Sequence, residues 1–342
     1  MSRFTPRPPA GARATVPLGG SGLRVHPIGL GCMGMSQFYG AADRTESIAT
    51  IHAAIDLGAD FFDTSDVYGA ATPVPGQPNR GFGHNERLLG EAVRGRRDEV
   101  VIGTKFSAKP GERGMTFDGR PEYVASACDA SLTRLGTDRI DVYYYHRLDP
   151  GVPVEETVGA MADLVTAGKI RAIGLSHVPA EILRRAAAVA PVSALQSEYS
   201  LWERALEAEV LPVCRRLGIT LVPYSPLGRA ALTGKVVSGT EFDAADFRST
   251  VPKFQRENLV RNLEPVAALR EFADRRGATS GQVALAWLLA QSMDVAPIPG
   301  TKRVAYVREN LGATAVPLSA DDVAELSRLF DPAAIHGGQY AS

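Results

Sequence analysis

The sequence is poor in cysteine, close to neutral in charge and free of long apolar runs. Its 342 residues include only three cysteines, Cys32, Cys128 and Cys214, and these form no CxxC motif. Their spacing indicates neither a disulfide framework nor a zinc site, and no metal is expected. The formal net charge is -1, so the overall charge gives no reason to expect a nucleic acid or a membrane surface as a partner.

No part of the chain has the features of a membrane span or a secretion signal. A span needs about 18 consecutive apolar residues, and the N-terminal segment contains arginine and proline without an apolar core. We therefore expect a cytoplasmic protein with a flexible tail at residues 1–14 and a single folded domain at residues 15–342. With 45% hydrophobic and 22% charged residues, the composition is typical of a globular enzyme.

Short apolar runs alternate with amphipathic helical patterns along the chain. Several helical patterns end in glycine, as at Gly136 and Gly218, which is a common signal of a helix C-terminus. The predicted strands are residues 28–31, 59–64, 100–105, 140–146, 171–176, 193–198, 218–225 and 294–300. Eight alternations predict an α/β fold of the (β/α)8 TIM barrel type. An open doubly wound sheet is disfavoured, because GLGCMGMS after the first strand lacks the GxGxxG spacing.

Three segments stand outside this alternation. Residues 15–27 predict a β-hairpin around a glycine-rich turn, which could close one end of the barrel. Residues 69–84 and 227–263 follow the second and seventh predicted strands as long loops. In a TIM barrel such loops lie on the C-terminal face, where active sites form, so we expect the second loop to cover a bound ligand.

Polar side chains with complementary chemistry stand at the ends of three successive predicted strands. Asp63 lies at the end of the second predicted strand and Tyr68 follows five residues later. Lys105 ends the third strand, and His146 ends the fourth. Each residue alone has an ordinary structural explanation, such as a solvated lysine at a strand end. Together at one barrel mouth they suit carbonyl reduction. A tyrosine can protonate the oxygen beside a cation, Asp63 can hold Lys105 in place, and His146 can donate a hydrogen bond.

Several motifs, taken in order, carry a resemblance to a known family. They are FFDTSDVYG (61–69), NERLLGEAV (85–93), VIGTKF (101–106), IDVYYYHRLD (140–149), GKIRAIGLS (168–176), QSEYSL (196–201), YSPLGR (224–229) and IPGTKR (298–303). Over residues 15 to about 330 the chain resembles the aldo-keto reductases, in particular a bacterial branch with pyridoxal and aldehyde reductases. The resemblance implies a TIM barrel that binds NADPH, with Asp63, Tyr68, Lys105 and His146 as the catalytic residues.

The resemblance also implies a set of cofactor-binding residues. Ser176, His177 and Gln196 stand where the family holds the nicotinamide carboxamide, and the family usually has Asn in place of His177. Tyr224 matches the aromatic residue that stacks on the nicotinamide ring. The other matches are Ser225, Pro226, Leu227, Gly228 and Arg229 for the pyrophosphate, Gly300, Thr301, Lys302 and Arg303 for the adenosine 2'-phosphate, and Glu309 and Asn310 for the adenine.

The residue chemistry of PGTKR (299–303) agrees with a phosphate site. This segment offers backbone N–H groups, a hydroxyl and two cations just before a predicted helix, which suits a phosphate monoester. NADH would leave Lys302 and Arg303 without a 2'-phosphate. The segment therefore favours NADPH as the cofactor.

Apolar and aromatic residues at or just beyond the strand ends predict a substrate pocket for a small carbonyl compound. These residues are Met33, Phe38, Tyr39, Phe106 and Trp202. We expect NADPH-dependent reduction of an aldehyde or ketone to the alcohol by hydride transfer, with Tyr68 as the proton donor. Two alternatives stay open: an NADPH-sensing regulatory subunit with slow turnover, and a barrel aldolase in which Lys105 forms a Schiff base. The residues select neither one carbonyl compound nor one oligomeric state.

Overall fold

The computed structural model describes residues 15–70, 79–112, 114–244, 246–291 and 294–339. The tail predicted at residues 1–14 and the middle of the predicted loop at 69–84 lie outside them. The strands of the described residues are β1 (Val16–Pro17), β2 (Arg24–Val25), β3 (Leu30–Gly31), β4 (Phe61–Asp63), β5 (Val101–Phe106), β6 (Ala108–Gly111), β7 (Gly114–Phe117), β8 (Ile140–Tyr145), β9 (Ile170–Ser176), β10 (Val192–Glu198) and β11 (Thr220–Tyr224).

Seven parallel strands form the barrel wall. Their order in the sheet is β11, β10, β9, β8, β5, β4, β3. Helical crossovers return the chain to each next parallel strand. The predicted TIM barrel is thereby confirmed, with strand ends that differ from the predicted ones by a few residues. The fourth predicted strand at 140–146, for example, forms as Ile140–Tyr145.

The eighth predicted strand, residues 294–300, forms only isolated bridges. Val295 bridges to Leu221 of β11, and Gly300 bridges to Gly31 of β3. This closing segment therefore joins the two ends of the sheet, but it is not a full strand. The prediction of eight complete strands is corrected to seven strands and one bridging segment among the described residues.

Two prolines explain why the closing segment stops short of a strand. Gly29 and Gly31 donate their N–H groups to the carbonyls of Pro297 and Pro299 at 2.9 and 3.3 Å. Proline has no N–H to donate in return, so this side of the ladder carries bonds in one direction only. The barrel closes, but with fewer hydrogen bonds than a regular pair of strands would form.

Helices surround the barrel wall. Those of the described residues are α1 (Arg44–Asp56), α2 (His84–Ala92), α3 (Pro121–Leu135), α4 (Val154–Thr166), α5 (Ala180–Val189), α6 (Val210–Leu217), α7 (Arg256–Asn262), α8 (Glu264–Asp274), α9 (Ser280–Leu289), α10 (Val304–Leu311) and α11 (Ala320–Leu329). Gly136 and Gly218 end α3 and α6 with φ angles of 65° and 64°, which glycine adopts without steric cost. Within the described part of the chain, no helix has the length and apolar character needed to cross a bilayer.

Side chains of the barrel strands alternate between two cores. Tyr144 packs inside the barrel, whereas Tyr143 and Tyr145 pack outward beneath the helices. This is the two-residue period of a β-strand. On the neighbouring strand, Lys105 is in register with Tyr144. Phe106 faces the other way and stacks on Tyr143 and Tyr145, with ring centroids 4.8 and 5.3 Å away.

The N-terminal hairpin of β1 and β2 closes the end of the barrel where the strands begin, as predicted. Leu18 and Leu23 are buried in the interior core of the barrel. The Gly19 N–H donates to Thr220 Oγ1 at 2.9 Å. A Cβ atom at Gly19 would lie 2.5 Å from the carbonyl oxygen of Ser193. Glycine is therefore required where the hairpin meets the strands, and among the described residues the hairpin covers this end of the barrel while the other end is open.

The long segment at 227–263 lies over that open end and is called the covering segment below. The Phe247 ring is 5.2 Å from the Phe38 ring, and the Phe247 N–H donates to the Phe38 carbonyl. A hairpin of β6 and β7, which the sequence analysis did not predict, adds Met115 and Phe117 to the rim. The two segments leave a deep cavity at the C-terminal ends of the strands.

Candidate active site

Three of the predicted catalytic residues form one buried hydrogen-bonded chain at the floor of the cavity. Lys105 Nζ donates to Asp63 Oδ1 at 2.6 Å, to the Thr64 carbonyl at 2.7 Å and to Tyr68 Oη at 3.1 Å. The side chains of Lys105 and Asp63 are 0% and 4% exposed. β4 and β5 are adjacent in the sheet, so their C-terminal ends bring these groups together. The strand order thus brings Lys105 into contact with Asp63 and Tyr68, which lie 42 and 37 residues before it in the sequence.

His146 completes the predicted set of four. It follows β8, and its ring stands nearly perpendicular to the Tyr68 ring, with centroids 6.0 Å apart and an interplanar angle of 86°. His146 Nδ1 lies 3.3 Å from Ser65 Oγ. Asp63, Tyr68 and His146 all line the cavity. A carbonyl group at the cavity floor would therefore meet a phenol and an imidazole together.

Burial and charge set the ionisation of these side chains. Burial lowers the pKa of Lys105, but Asp63 and Tyr68 outweigh it, so the net shift is upward and the ammonium stays charged. Burial raises the pKa of Tyr68 against the pull of Lys105, so the phenol stays protonated at neutral pH. Burial, with the cations Arg147 and Lys105, holds the pKa of His146 well below its usual range. The expected pull of Lys105 on Tyr68 is present, but burial has the larger effect.

Polar groups from β9 and β10 extend the site beside the floor. Gln196 Nε2 donates to Asp63 Oδ2 at 2.7 Å, so both oxygens of this carboxylate are engaged. Ser176 Oγ accepts a hydrogen bond from Arg147 Nη1 at 3.2 Å. Ser176 and Gln196 line the cavity, and both are almost fully buried. They are hydroxyl and amide groups of the kind that hold a carboxamide.

The cavity has a volume of about 900 Å³ and reaches from the floor at Asp63 and Tyr68 to the start of α10. Its far end contains the loop 300–303, where α10 begins. Arg303 is exposed, and its N–H donates to Thr301 Oγ1 at 3.1 Å. The predicted cofactor residues on its wall are Ser176, Gln196, Tyr224, Ser225, Pro226, Leu227, Arg229, Gly300, Thr301, Lys302, Arg303, Glu309 and Asn310.

Lys302 is engaged by the loop that follows β3. Its Nζ donates to the Tyr39 carbonyl at 2.8 Å, to the Gly40 carbonyl at 3.4 Å and to the Ala41 carbonyl. Burial and the neighbouring Arg303 lower its pKa. Of the two predicted phosphate cations, Lys302 thus ties two loops together, while Arg303 stands exposed at the cavity edge.

Arg229 lies on the cavity wall with its charge already balanced. Its Nη2 is 2.8 Å from Glu198 Oε2, and both side chains are buried. Gln339, near the C-terminus, donates to Glu198 Oε2 at 2.7 Å and to Tyr224 Oη at 3.1 Å. The Arg229 guanidinium also lies over the Phe247 ring, 5.0 Å from its centroid. The C-terminal segment and the covering segment therefore meet at this ion pair.

Two predicted cofactor residues, His177 and Gly228, are not on the cavity wall. The Gly228 N–H donates to the Ser225 carbonyl at 2.9 Å, and its Cα faces Trp202. His177 is an exposed residue, and its backbone N–H donates to the Gln196 carbonyl at 2.9 Å. His177 has a φ of 53°, in the left-handed region that asparagine tolerates better than most residues. Their roles as cofactor contacts stay predictions.

The predicted substrate residues divide into two groups. Met33, Phe38 and Tyr39 line the cavity. Phe106 does not, because it follows Lys105 by one residue and so points outward, where it is fully buried. Trp202 is also buried away from the wall, and its Nε1 donates to the Asn262 carbonyl at 3.2 Å. The placement of Phe106 and Trp202 in the substrate pocket is therefore corrected.

Several cavity residues were not predicted. Arg147 directly follows His146 in HRLD, and its position just past a strand end is a sequence signal for the barrel mouth. Gln37 accepts the Gly69 N–H at 2.8 Å, and Arg248 pairs with Asp246 at 2.6 Å. Gln37 and Arg248 lie on loops that fold over the mouth from distant parts of the chain. No local sequence pattern marks such residues.

Relatives of known family cover nearly the whole chain. The NADP(+) aldo-keto reductase yakc of Schizosaccharomyces pombe is 44% identical over 323 residues, covering 92% of this chain and 92% of its own length. A probable aldo-keto reductase 1 of Glycine max is 42% identical over 328 residues, covering 95% of this chain and 91% of its own.

Two solved structures with the same fold come from bacteria. The glycerol dehydrogenase of Gluconobacter oxydans has a TM-score of 0.81 at 26% identity and covers 93% of this chain and 96% of its own. An aldo/keto reductase of Klebsiella pneumoniae in complex with NADP and acetate has a TM-score of 0.71 at 27% identity, covering 96% of this chain and 99% of its own. The profile of the aldo/keto reductase family matches residues 27–331. The chain therefore belongs to the aldo/keto reductase family.

Proposed function

We propose that the protein reduces aldehydes or ketones with NADPH and that Tyr68 donates the proton. The observation that carries this proposal is the buried chain Asp63–Lys105–Tyr68, which ends at the cavity floor beside His146. Family membership supports the reaction class. The NADP(+) in the name of the yeast relative and the NADP in the Klebsiella complex support the cofactor.

Each catalytic side chain has one task in this reaction. When bound, NADPH supplies the hydride. Tyr68 gives its phenolic proton to the carbonyl oxygen, and the Lys105 ammonium stabilises the phenolate that remains. Asp63 keeps Lys105 charged and in position. His146 is neutral and can donate a hydrogen bond to the same oxygen from its cavity-facing nitrogen.

The cavity wall has the chemistry that NADPH requires. The buried hydroxyl of Ser176 and the amide of Gln196 suit a carboxamide, and the Tyr224 ring offers a flat apolar face. At the far end, Thr301 and Arg303 precede α10, where backbone N–H groups and a cation suit a phosphate. A cavity that is polar at one end and cationic at the other fits an elongated dinucleotide phosphate.

The mouth of the cavity favours carbonyl compounds with an apolar portion. Met33, Phe38, Tyr39, Met115 and Phe117 lie around it. Apolar walls of this kind bind by burying surface rather than by matching polar groups, so they accept a range of compounds. We infer a small-molecule substrate for a cytoplasmic enzyme.

The two alternative functions make different demands on Lys105 and on turnover. A Schiff-base aldolase needs a neutral, accessible lysine, whereas Lys105 is fully buried and its pKa is raised. A regulatory subunit would keep the same site but turn over slowly. The steady-state rate therefore separates the regulatory subunit from the enzyme.

The test is NADPH oxidation, followed by absorbance, with a panel of aromatic and aliphatic aldehydes and ketones. We expect turnover by the wild type and a loss of about 10²- to 10⁴-fold in kcat for Tyr68→Phe, with NADPH binding retained in fluorescence titrations. Tyr199→Phe is a matched control, because Tyr199 is also buried but bonds to Glu207 at 2.9 Å and does not line the cavity. Absence of wild-type turnover across the panel would overturn the proposal, and unchanged turnover in Tyr68→Phe would exclude Tyr68 as the acid.

A further inference from the structure

Behind His146, a second buried polar chain runs away from the cavity. It consists of Ser65 and Asp66, in the turn after β4, and neither has exposed surface. Ser65 Oγ lies 3.3 Å from His146 Nδ1 and 3.3 Å from Asp66 Oδ1. Because Nδ1 faces Ser65, Nε2 is the ring nitrogen left for the cavity, which His146 lines. A carboxyl, a hydroxyl and an imidazole are thus connected in series.

Among the described residues, Asp66 has no ion-pair partner, and its Oδ2 has no hydrogen-bond partner. Arg134 of α3 pairs at 2.5 Å with Glu86 of α2 instead. Tyr143 of β8 and Tyr123 of α3 are the other titratable groups that interact with it. Burial and the Glu86 charge raise the pKa of Asp66 well above its usual range, and Arg134 acts against them. Burial without an ion-pair partner therefore favours the neutral, protonated form of Asp66.

The ionisation of Asp66 decides which way the hydrogen bonds of this chain point. An ionised Asp66 accepts the Ser65 O–H, so Ser65 Oγ can only accept from His146 Nδ1–H. The neutral imidazole then has no proton on Nε2. A neutral Asp66 donates to Ser65 Oγ instead, and the Ser65 O–H donates to Nδ1. The imidazole proton then resides on Nε2, at the cavity.

We propose that Asp66 and Ser65 are positioning residues that fix the tautomer of His146 with its proton on Nε2. Only this tautomer presents a donor to a carbonyl oxygen. The catalytic importance of the tautomer rests on the proposed carbonyl reduction, whereas the tautomer itself is a property of the protein without substrate or cofactor. Asp66 acts through Ser65 and contacts neither the substrate nor the cofactor.

The first test is ¹⁵N NMR of histidine-labelled protein without cofactor. Long-range proton–nitrogen correlations identify which ring nitrogen carries the proton. We expect His146 to carry it on Nε2 in the wild type at neutral pH. In Ser65→Ala the Nδ1 resonance should shift and the two tautomers should mix. A wild-type proton on Nδ1, or an unchanged His146 spectrum in Ser65→Ala, would overturn the proposal.

The chain offers a matched control for this substitution. Ser36 Oγ lies 2.9 Å from His84 Nδ1, another serine–histidine pair. Ser36→Ala should therefore move the His84 resonances and leave the His146 tautomer unchanged. In kinetic assays we expect Ser65→Ala to lose roughly tenfold in kcat, less than the ~10²- to 10³-fold lost when a donor is removed outright. NADPH affinity should stay the same, because Ser65 does not line the cavity.

The second test measures the protonation of Asp66 directly. The infrared difference spectrum between wild type and Asp66→Asn should contain the C=O stretching band of a protonated carboxyl. Carboxylate bands in its place would overturn the proposal. Neither spectroscopic test uses substrate or cofactor. A protein with the Nε2 tautomer and no carbonyl reduction would refute the proposed function alone, and turnover with the proton on Nδ1 would refute this inference alone.

Discussion

The two ends of the cavity are built in different ways. At the floor, Asp63, Tyr68 and Lys105 come from adjacent strands, are buried and already bond to one another. At the far end, Arg303 is exposed on a loop, and Lys302 is bound to backbone carbonyls of another loop. Groups on rigid strands are already in position, whereas the proposed anion site depends on loops and on charges that have other partners.

This difference gives the cations Lys105 and Arg303 different roles. A buried cation such as Lys105 cannot be removed without leaving Asp63 as an uncompensated charge. An exposed cation such as Arg303 can be removed with little structural effect. Mutations at the floor should therefore change the rate and the stability together, and mutations at the phosphate end should change cofactor affinity alone.

The largest effect is expected for Lys105→Met. Loss of the cation leaves the Asp63 carboxylate buried and unpaired, so the free energy of unfolding should fall by about 3–5 kcal/mol. Without the ammonium beside Tyr68, kcat should fall by about 10²- to 10⁴-fold. Chemical denaturation and NADPH oxidation measure the two quantities.

Lys109→Met is the matched control for Lys105→Met. Lys109 pairs with Asp118 at 2.8 Å, but its side chain is 37% exposed. Its loss should therefore cost less than about 1 kcal/mol and leave turnover unchanged. A full rate in Lys105→Met would show that the lysine at the floor is structural.

Arg303→Ala should have the next largest effect. A charge-assisted bond to the 2'-phosphate contributes about 1.5–3 kcal/mol, so the Kd for NADPH should rise by about 10- to 100-fold. NADH has no 2'-phosphate, so its Kd should not change. Fluorescence titration with both cofactors measures the ratio. Equal losses for the two would remove Arg303 from the phosphate site.

Lys302→Met should have a smaller and less selective effect. Because its Nζ holds the carbonyls of Tyr39, Gly40 and Ala41, its loss should loosen the loop that forms one cavity wall. We expect NADPH and NADH to bind about threefold more weakly, by the ~0.5–1 kcal/mol typical of one net hydrogen bond. A loss confined to NADPH would instead show that Lys302 turns toward the phosphate when the cofactor binds.

The rate of reduction should depend least on pH in the neutral range. Tyr68 has its pKa raised from 10.0, so it stays protonated until the pH rises above that value. His146 has its pKa lowered well below 6.5, so it stays neutral until the pH falls below that value. With NADPH saturating, kcat should be level between about pH 6.5 and 9 and fall at higher pH. A midpoint near neutral pH would contradict these ionisation states.

The sequence predicts the barrel and its floor well, because both follow from local patterns. Apolar runs define the strands, and a residue at a strand end must lie at the barrel mouth. Lys105 and Asp63 were found in this way. Alternation along the strand also determines which side chains face inward. In VIGTKF this alternation points Phe106 outward if Lys105 points inward, so the sequence itself argues against Phe106 in the pocket.

Other features depend on contacts between distant segments. Trp202 is buried because Phe254, from the covering segment, packs edge-on against it at 5.3 Å. The pairing of Arg229 with Glu198, and the approach of Gln339 to both, join parts of the chain up to 141 residues apart. No periodic pattern indicates such contacts. They require the strand order and the loop paths, which only the structure provides.

The prolines of the closing segment leave one seam of the barrel wall with few backbone hydrogen bonds. On one side the segment accepts the backbone N–H groups of Gly29 and Gly31, and Pro297 and Pro299 have no N–H to return. Local opening is easier where a barrel wall has fewer hydrogen bonds, so amides along this seam should exchange faster than those between β8 and β9. The loop that carries Arg303 continues directly from the same segment. An anion bound there would hold the seam shut, and cofactor binding would thereby stiffen the barrel wall itself.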